Sequence, residues 1–275
     1  MFKIYDLNMK EIPLPKGVMP LEIFVGSVAK DRVTEAVEGR TGVVNYGFNY
    51  TDRPVSLFLR IKAADAADFR LLRNEVFATF DVGSAFYVAE TDVPSRVLKV
   101  VVDESYIPDR LTEEYADFDI NCRTLDSVFW ESIYTTLELH DSGYSATAEK
   151  YGLVDNIDDE KVQYRFTENN FTVYNAGNVA VEPESMYISI LFYYCSIPDG
   201  KMTVKNLTTG DTLIINSTEN RKHIRQDGMV FTIGGVNRFR DTNRSFISLA
   251  PGDNRFEITG TIFDEARIDF KYYYK

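Results

Sequence analysis

The sequence predicts a mainly β protein in two parts: strands with one amphipathic helix, then a region of strand and turn alone. Three observations carry this reading. Most periodic stretches repeat every two residues, one segment repeats at helical spacing, and turn signals recur at short intervals through the second half. Val55, Leu57, Leu59 and Ile61 alternate with Ser56, Phe58 and Arg60, as in a strand with one face on a core. Phe118, Ile120 and Cys122 alternate likewise with Asp117, Asp119, Asn121 and Arg123, and residues 97–102 form a strand rich in β-branched side chains. The helix follows Asp65 as its cap. Asp68 complements the positive end, Phe69, Leu72, Val76 and Phe80 form one stripe, and Gly83 ends it.

In the second half, Phe171 and Val173 lead into the turn Asn175-Ala176-Gly177, and residues 186–194 read as a buried central strand. Residues 202–204 and 213–215 flank Thr208-Thr209-Gly210-Asp211, a hairpin whose glycine can take a positive φ. Strands are also expected at 230–233, 246–249, 256–258 and 268–274. This spacing indicates a β-sandwich or jelly roll. Whether the last strand closes the second domain or returns to the first is left open.

A chain of 275 residues holds two compact domains, and 44% apolar content supports a packed core. The expected division is 1–138, a linker or exposed loop at 139–164, and 165–275. Ser142-Gly143, Gly152 and the acid-rich 155–160 mark the middle segment. Thirty basic residues against 42 acidic ones give a net charge of −12, which argues against phosphate neutralisation and adsorption to an anionic membrane. It suits a protein that lets DNA slide past without sticking. Cys122 and Cys195 have no metal-ligand spacing, and Cys122 lies on the apolar side of its strand, so a buried reduced thiol is expected, in keeping with assembly in a reducing cytoplasm. Residues 1–10 alternate and do not read as a signal peptide, and the apolar run 188–195 is too short to span a bilayer; a soluble protein is expected.

The inventory for catalysis is poor. His140 and His223 have no neighbour at ligand or triad spacing and read as solvated loop residues. No HExxH, GxSxG or GxxxxGK[ST] occurs, and Gly234-Gly235 reads as a turn. Asp103-Glu104, Glu113-Glu114 and residues 158–160 read as solvated charges, while Asp155, Asp158 and Asp159 lack the spacing and glycine of a calcium loop. Trp130 lies outside the sandwich-like region, and Tyr272 and Tyr274 read as core. No catalytic residue, cofactor or metal is therefore expected.

Residues 25–50 are strand-like but polar: Arg32, Thr34, Glu35, Glu38, Arg40, Thr41 and Asn45 leave little for a core. Gly39 and Gly42 flank Arg40-Thr41 as a turn requires. Two strands of about ten residues at ~3.3 Å each would project on the order of 30 Å from the body. Such a hairpin is marginal alone and exposes two unpaired edges. It is either an ordinary surface hairpin or an arm that a neighbouring subunit completes.

Glu38-Gly39-Arg40-Thr41-Gly42-Val43-Val44, followed by Arg53-Pro54-Val55-Ser56-Leu57-Phe58-Leu59, resembles the opening domain of siphophage distal tail proteins. The helix at 65–80, the strand at 118–123 and Asp126-Ser127-Val128-Phe129-Trp130 continue the likeness. Phe171-Thr172-Val173-Tyr174-Asn175-Ala176-Gly177 and Pro183 resemble the start of that family's second domain. Leu249-Ala250-Pro251-Gly252-Asp253-Asn254 resembles its Pro-Gly turn.

The resemblance implies a tail-tube-like β-sandwich or barrel with one helix and a projecting hairpin arm, then a galectin-like β-sandwich. It implies a ring of six copies at the distal end of the tail, belted by the arms and assembled in the host bacterial cytoplasm. The ring would join the tail tube protein to the tail-tip or tail-associated lysin protein, offer a site for receptor-binding proteins, and pass DNA without binding it. The seven polar arm residues are then subunit-interface residues. A different class of answer is a carbohydrate- or receptor-binding tail protein recognising wall glycans, and a third is a wall-degrading enzyme with two opposed carboxylates.

Overall fold

A computed structural model describes every residue except 82, 155 and 156. The chain forms two compact units, residues 1–130 with Lys275, and residues 131–274. The first contains β1 (Phe2–Tyr5), β2 (Val18–Val25), β3 (Lys30–Ala36), β4 (Val43–Tyr50) and β5 (Pro54–Lys62). The helix α1 (Ala66–Phe80) follows, then β6 (Phe86–Glu90), β7 (Arg96–Val102), β8 (Asp109–Arg110) and β9 (Tyr115–Thr124).

The main sheet of this unit runs β1-β6-β7-β9-β5-β2, antiparallel throughout, with β8 on β9. Its centre is the long pairing of β5 with β9. Val55, Leu57, Leu59 and Ile61 sit opposite Cys122, Ile120, Phe118 and Ala116, and all are buried. The expected alternation thus becomes one continuous apolar face. Between sandwich and barrel, the sheet is neither closed nor doubled: β1 and β2 remain its two ends, and α1 covers the apolar face. Asp65 caps α1 by accepting from the Ala67 and Asp68 N–H groups, and Phe69, Leu72, Val76 and Phe80 are its buried residues. The helix stops at Phe80 with Asp81 as its C-terminal cap, two residues before Gly83.

The second unit opens with β10 (Trp130–Ser132), which begins on the last residue of the first, then α2 (Thr136–Ser142), α3 (Tyr144–Tyr151) and a short 3-10 turn (Asp159–Lys161). The strands are β11 (Arg165–Phe166), β12 (Asn170–Asn175), β13 (Ile188–Cys195), β14 (Lys201–Asn206), β15 (Thr212–Asn216) and β16 (Lys222–Asp227). Then come β17 (Val230–Ile233), β18 (Val236–Asn237), β19 (Gly252–Thr259), β20 (Glu265–Phe270) and β21 (Tyr273–Tyr274). They make a sandwich of a six-stranded sheet, β11-β20-β13-β16-β17-β18, and a four-stranded sheet, β12-β19-β14-β15. Cys195 of one sheet meets Met202 of the other, Sγ to Sδ, at 3.7 Å in the core.

The stretch 139–164, expected as linker or exposed loop, is instead helical over much of its length and belongs to the second unit. Thr135 caps α2 by accepting from the Glu138 N–H, and Asp269 on β20 accepts from the Leu137 N–H at 3.0 Å. Glu138 then accepts from Lys150 and Tyr151 of α3, both at 2.6 Å. The last strand, β21, pairs with β10. Ser132 donates its N–H to the Tyr272 carbonyl at 2.9 Å. Residues 246–249 are not a strand: the Ile247 N–H goes to the Gln226 side chain and the Ser248 N–H to Asp211.

Two buried asparagines lock the turn at 250–252. Asn254 accepts from the Ala250 N–H and the Asn206 amide, and donates to the Ala250 and Gly252 carbonyls. Asn175 donates to the same Ala250 carbonyl and to Val179. Buried donors and acceptors without partners are costly. Asn254→Ala should lower unfolding free energy by about 2–3 kcal/mol; a urea midpoint close to wild type at unchanged m-value would contradict this account.

Candidate interface: the arm and the cleft at its root

Among the described residues β3 and β4 pair only with each other, as a separate two-stranded sheet. Every residue of β3 is exposed, and β4 is exposed apart from two half-buried positions. All seven predicted interface residues lie on this ribbon and are exposed. Arg32 faces Phe48, Thr34 faces Asn45, Glu35 faces Val44, and Glu38, Arg40 and Thr41 occupy the tip. Gly39 and Gly42 have φ of 78° and 86°, as the expected turn requires. A bulge interrupts the pairing at Val33/Thr34, where Tyr46 is the extra residue. Tyr46 donates to Glu35 at 2.9 Å, and the Asn45 side chain accepts from the Gly47 N–H at 3.0 Å.

The arm is less polar than its sequence suggests. Val33, Val37, Val43, Tyr46 and Phe48 are all exposed on it, Val43 by 58% and Tyr46 by 62%. Valines and aromatics sit on both faces and therefore make no alternation that would announce a buried side.

The root is held differently. Tyr50 packs edge-on against Phe129, and Lys30 lies over the Phe48 ring at 4.3 Å. Arg53 is buried just beyond β4, and its guanidinium donates to the carbonyls of Gly26 and Val128. It thereby joins the entry and exit of the arm to the end of the unit. Burial is the main influence on its pKa, lowering it from the ordinary arginine value, with the Glu90 charge acting in the opposite sense.

Beside the root is a cleft of about 730 Å³. Phe24, Val25 and Pro54 give it an apolar wall, and Asp52, Asp103, Glu104 and Arg123 ring its mouth. Arg123 pairs with Asp52 at 3.2 Å and with Asp103. Among the described residues Glu104 has no cationic partner; it accepts only from the Asn121 amide, at 3.5 Å. Cys122 lines the inner wall as a free thiol, its pKa pushed up to about 12, chiefly by burial.

A second cluster lies on the outer face of the six-stranded sheet. A bulge between Phe192 and Cys195 sets two tyrosines against one histidine, with His223 at 5.0 Å from Tyr193 and 4.7 Å from Tyr194. His223 is exposed as expected, but in a strand, and His140 is half-buried on α2 with Nδ1 at 3.2 Å from the Val162 carbonyl. Gly234 and Gly235 do form a turn, between β17 and β18. Asp158 caps the 3-10 turn, and Asp155 lies outside the described residues.

Residues 4–122 match the family model of the phage tail protein RIFT-related domain. That match lies within the first unit. The matched segment contains the arm, Arg53 and all but Arg123 of the cleft residues named above. Over its whole length the chain is also similar to the Dit protein (gp 19.1) of phage SPP1, described as a paradigm of hub adsorption apparatus in phages infecting Gram-positive bacteria. The TM-score is 0.69 at 11% identity, with 100% of both chains covered, so the two share a fold. Chains of the phage p2 baseplate, in its activated conformation with strontium and with calcium, match at TM-score 0.44 and 10% identity over 98% of this chain and 97% of theirs. No curated protein matches the sequence.

Arg53 gives the tail domain a direct test. Arg53→Met keeps the aliphatic stem and removes the donors from two carbonyls, so stability should fall by about 1–3 kcal/mol. Limited proteolysis should then cut near residues 26–30 and 50–53 faster than in wild type; equal cleavage rates would show that the staple does not hold the root.

Proposed function

We propose that the chain is a structural protein of the siphophage distal tail, and that six copies close into a ring through their arms. The observation that carries this reading is the arm itself: a two-stranded ribbon with exposed valines and aromatics on both faces and, among the described residues, no partner sheet. In a closed ring each contact is head-to-tail, so every arm finds the same acceptor on the next copy. The ring joins the tail tube to the tail-tip or tail-associated lysin protein. The second unit, a galectin-like scaffold in this reading, docks further baseplate components, receptor-binding proteins among them. A net charge of −12 is consistent with a channel that DNA crosses without being held. The role is structural rather than enzymatic.

Removal of residues 31–45 should leave monomers with the wild-type thermal melt and no rings. Negative-stain imaging of wild type should give six-fold rings with a central hole; a deletion variant that still sediments as a hexamer would rule out the arm as the ring's closure.

A second reading, binding of wall glycans, is favoured by one feature. Tyr194 is 46% exposed beside His223, with φ of 46° at the bulge, a conformation few tyrosines adopt. Against it, Arg221 already covers the Tyr194 ring at 5.1 Å. A glycan array should show no signal that Tyr194→Ala removes; a signal lost in that variant would establish the glycan reading for the second unit.

A further inference from the structure

We propose that the tip of each arm seats in the cleft at the root of the next copy's arm, with Arg40 paired to Glu104. The inference rests on the ring reading and names the acceptor within it. Chemistry and length both lead to this pairing.

The tip carries a cation between two apolar side chains. Val37 and Val43 are exposed on either side of the turn, and Arg40 has no ion-pair partner among the described residues. A Cβ built on Gly39 or Gly42 would meet nothing within 4 Å, so the tip has open space around it. The cleft offers the complement. Phe24, 56% exposed, stands with Val25 and Pro54 against the valines, and three carboxylates face one guanidinium at the mouth. Arg123 is engaged by Asp52 and Asp103, which leaves Glu104 for an incoming cation. Arginine suits such a site because its planar fork can bind a carboxylate at two points.

Length sets which copy is reached. Strands of seven and eight residues with a short turn extend on the order of 30 Å. A compact unit of residues 1–130 has a breadth of roughly 35 Å. An arm therefore spans about one neighbour. Because the cleft lies at the arm's own root, lined by Gly26 and Asp52, a tip that crosses one repeat arrives at the equivalent cleft of the adjacent copy. Tip-to-root contacts repeated around the ring form a closed chain of identical joints.

The test is charge reversal in the full chain, read by sedimentation velocity across a concentration series. Arg40→Glu and Glu104→Arg should each weaken assembly about tenfold or more, since each sets like charges together. The double variant R40E/E104R should recover most of the loss, with all chains melting at the wild-type temperature because both sites are exposed. Rings that tolerate both single reversals, or a double variant no better than the singles, would overturn the tip-to-root joint and leave the ring intact. A wild-type chain that never forms rings would overturn the ring reading and the joint together.

Discussion

A pair of β-strands has two faces and no interior. Whatever apolar surface such a ribbon carries stays wet until something else covers it, and its outer edges present unpaired N–H and C=O groups. The residues at 30–50 live under this constraint. They form a regular antiparallel ladder, yet valines and aromatics remain in solvent on both sides. A monomer gains little from this arrangement and is exposed to unwanted association. The same surface becomes useful once a sister chain lies against it, because burial of apolar side chains and satisfaction of the edges then arrive together.

The rest of the first unit serves to hold that ribbon firmly. The β5–β9 pairing supplies a continuous apolar face, α1 shields it, and Arg53 leaves the end of this rigid sheet to grip Gly26 and Val128. A buried guanidinium satisfied by carbonyls is stiff and directional, unlike a salt bridge in solvent. The arm therefore leaves the body from a fixed point rather than from a loose tether. The second unit uses the same device with neutral groups. Asn175 and Asn254 converge on the carbonyl of Ala250 and tie three segments distant in sequence into one corner.

Legibility in the sequence followed the range of the interactions responsible. The strands at 54–62 and 115–124 were readable because alternation records which face is buried, and α1 because its cap and stripe are local. The helices α2 and α3 lie where the sequence predicts a linker or exposed loop. Their signal existed, since Thr135 and Glu138 stand at capping-box spacing, but at seven and eight residues they depend on tertiary contacts such as Leu137 to Asp269. Residues 246–249 look like a strand locally, while the N–H groups of Ile247 and Ser248 are taken by side chains from elsewhere. In the arm, the polar members and the glycine turn were legible, but the apolar ones were not, because they fall on both faces and leave no periodic trace. The cleft was invisible for a simpler reason: its walls come from around residues 24, 54, 104 and 122, which only the folded sheet brings together. Arg53 and Asn254 stood in recognisable motifs, but nothing in the sequence tells what an arginine or an asparagine is for until its partners are in place.

The bulge at Tyr46 would bear on the outline of the proposed ring. One strand of the ribbon carries an extra residue at mid-length, so its contour is longer than that of its partner and the pair must curve and twist there. A straight bar would touch a cylindrical surface along one line and lift away at both ends. In the proposed ring, a ribbon bent near its middle would follow the circumference, as a stave bowed to a hoop does.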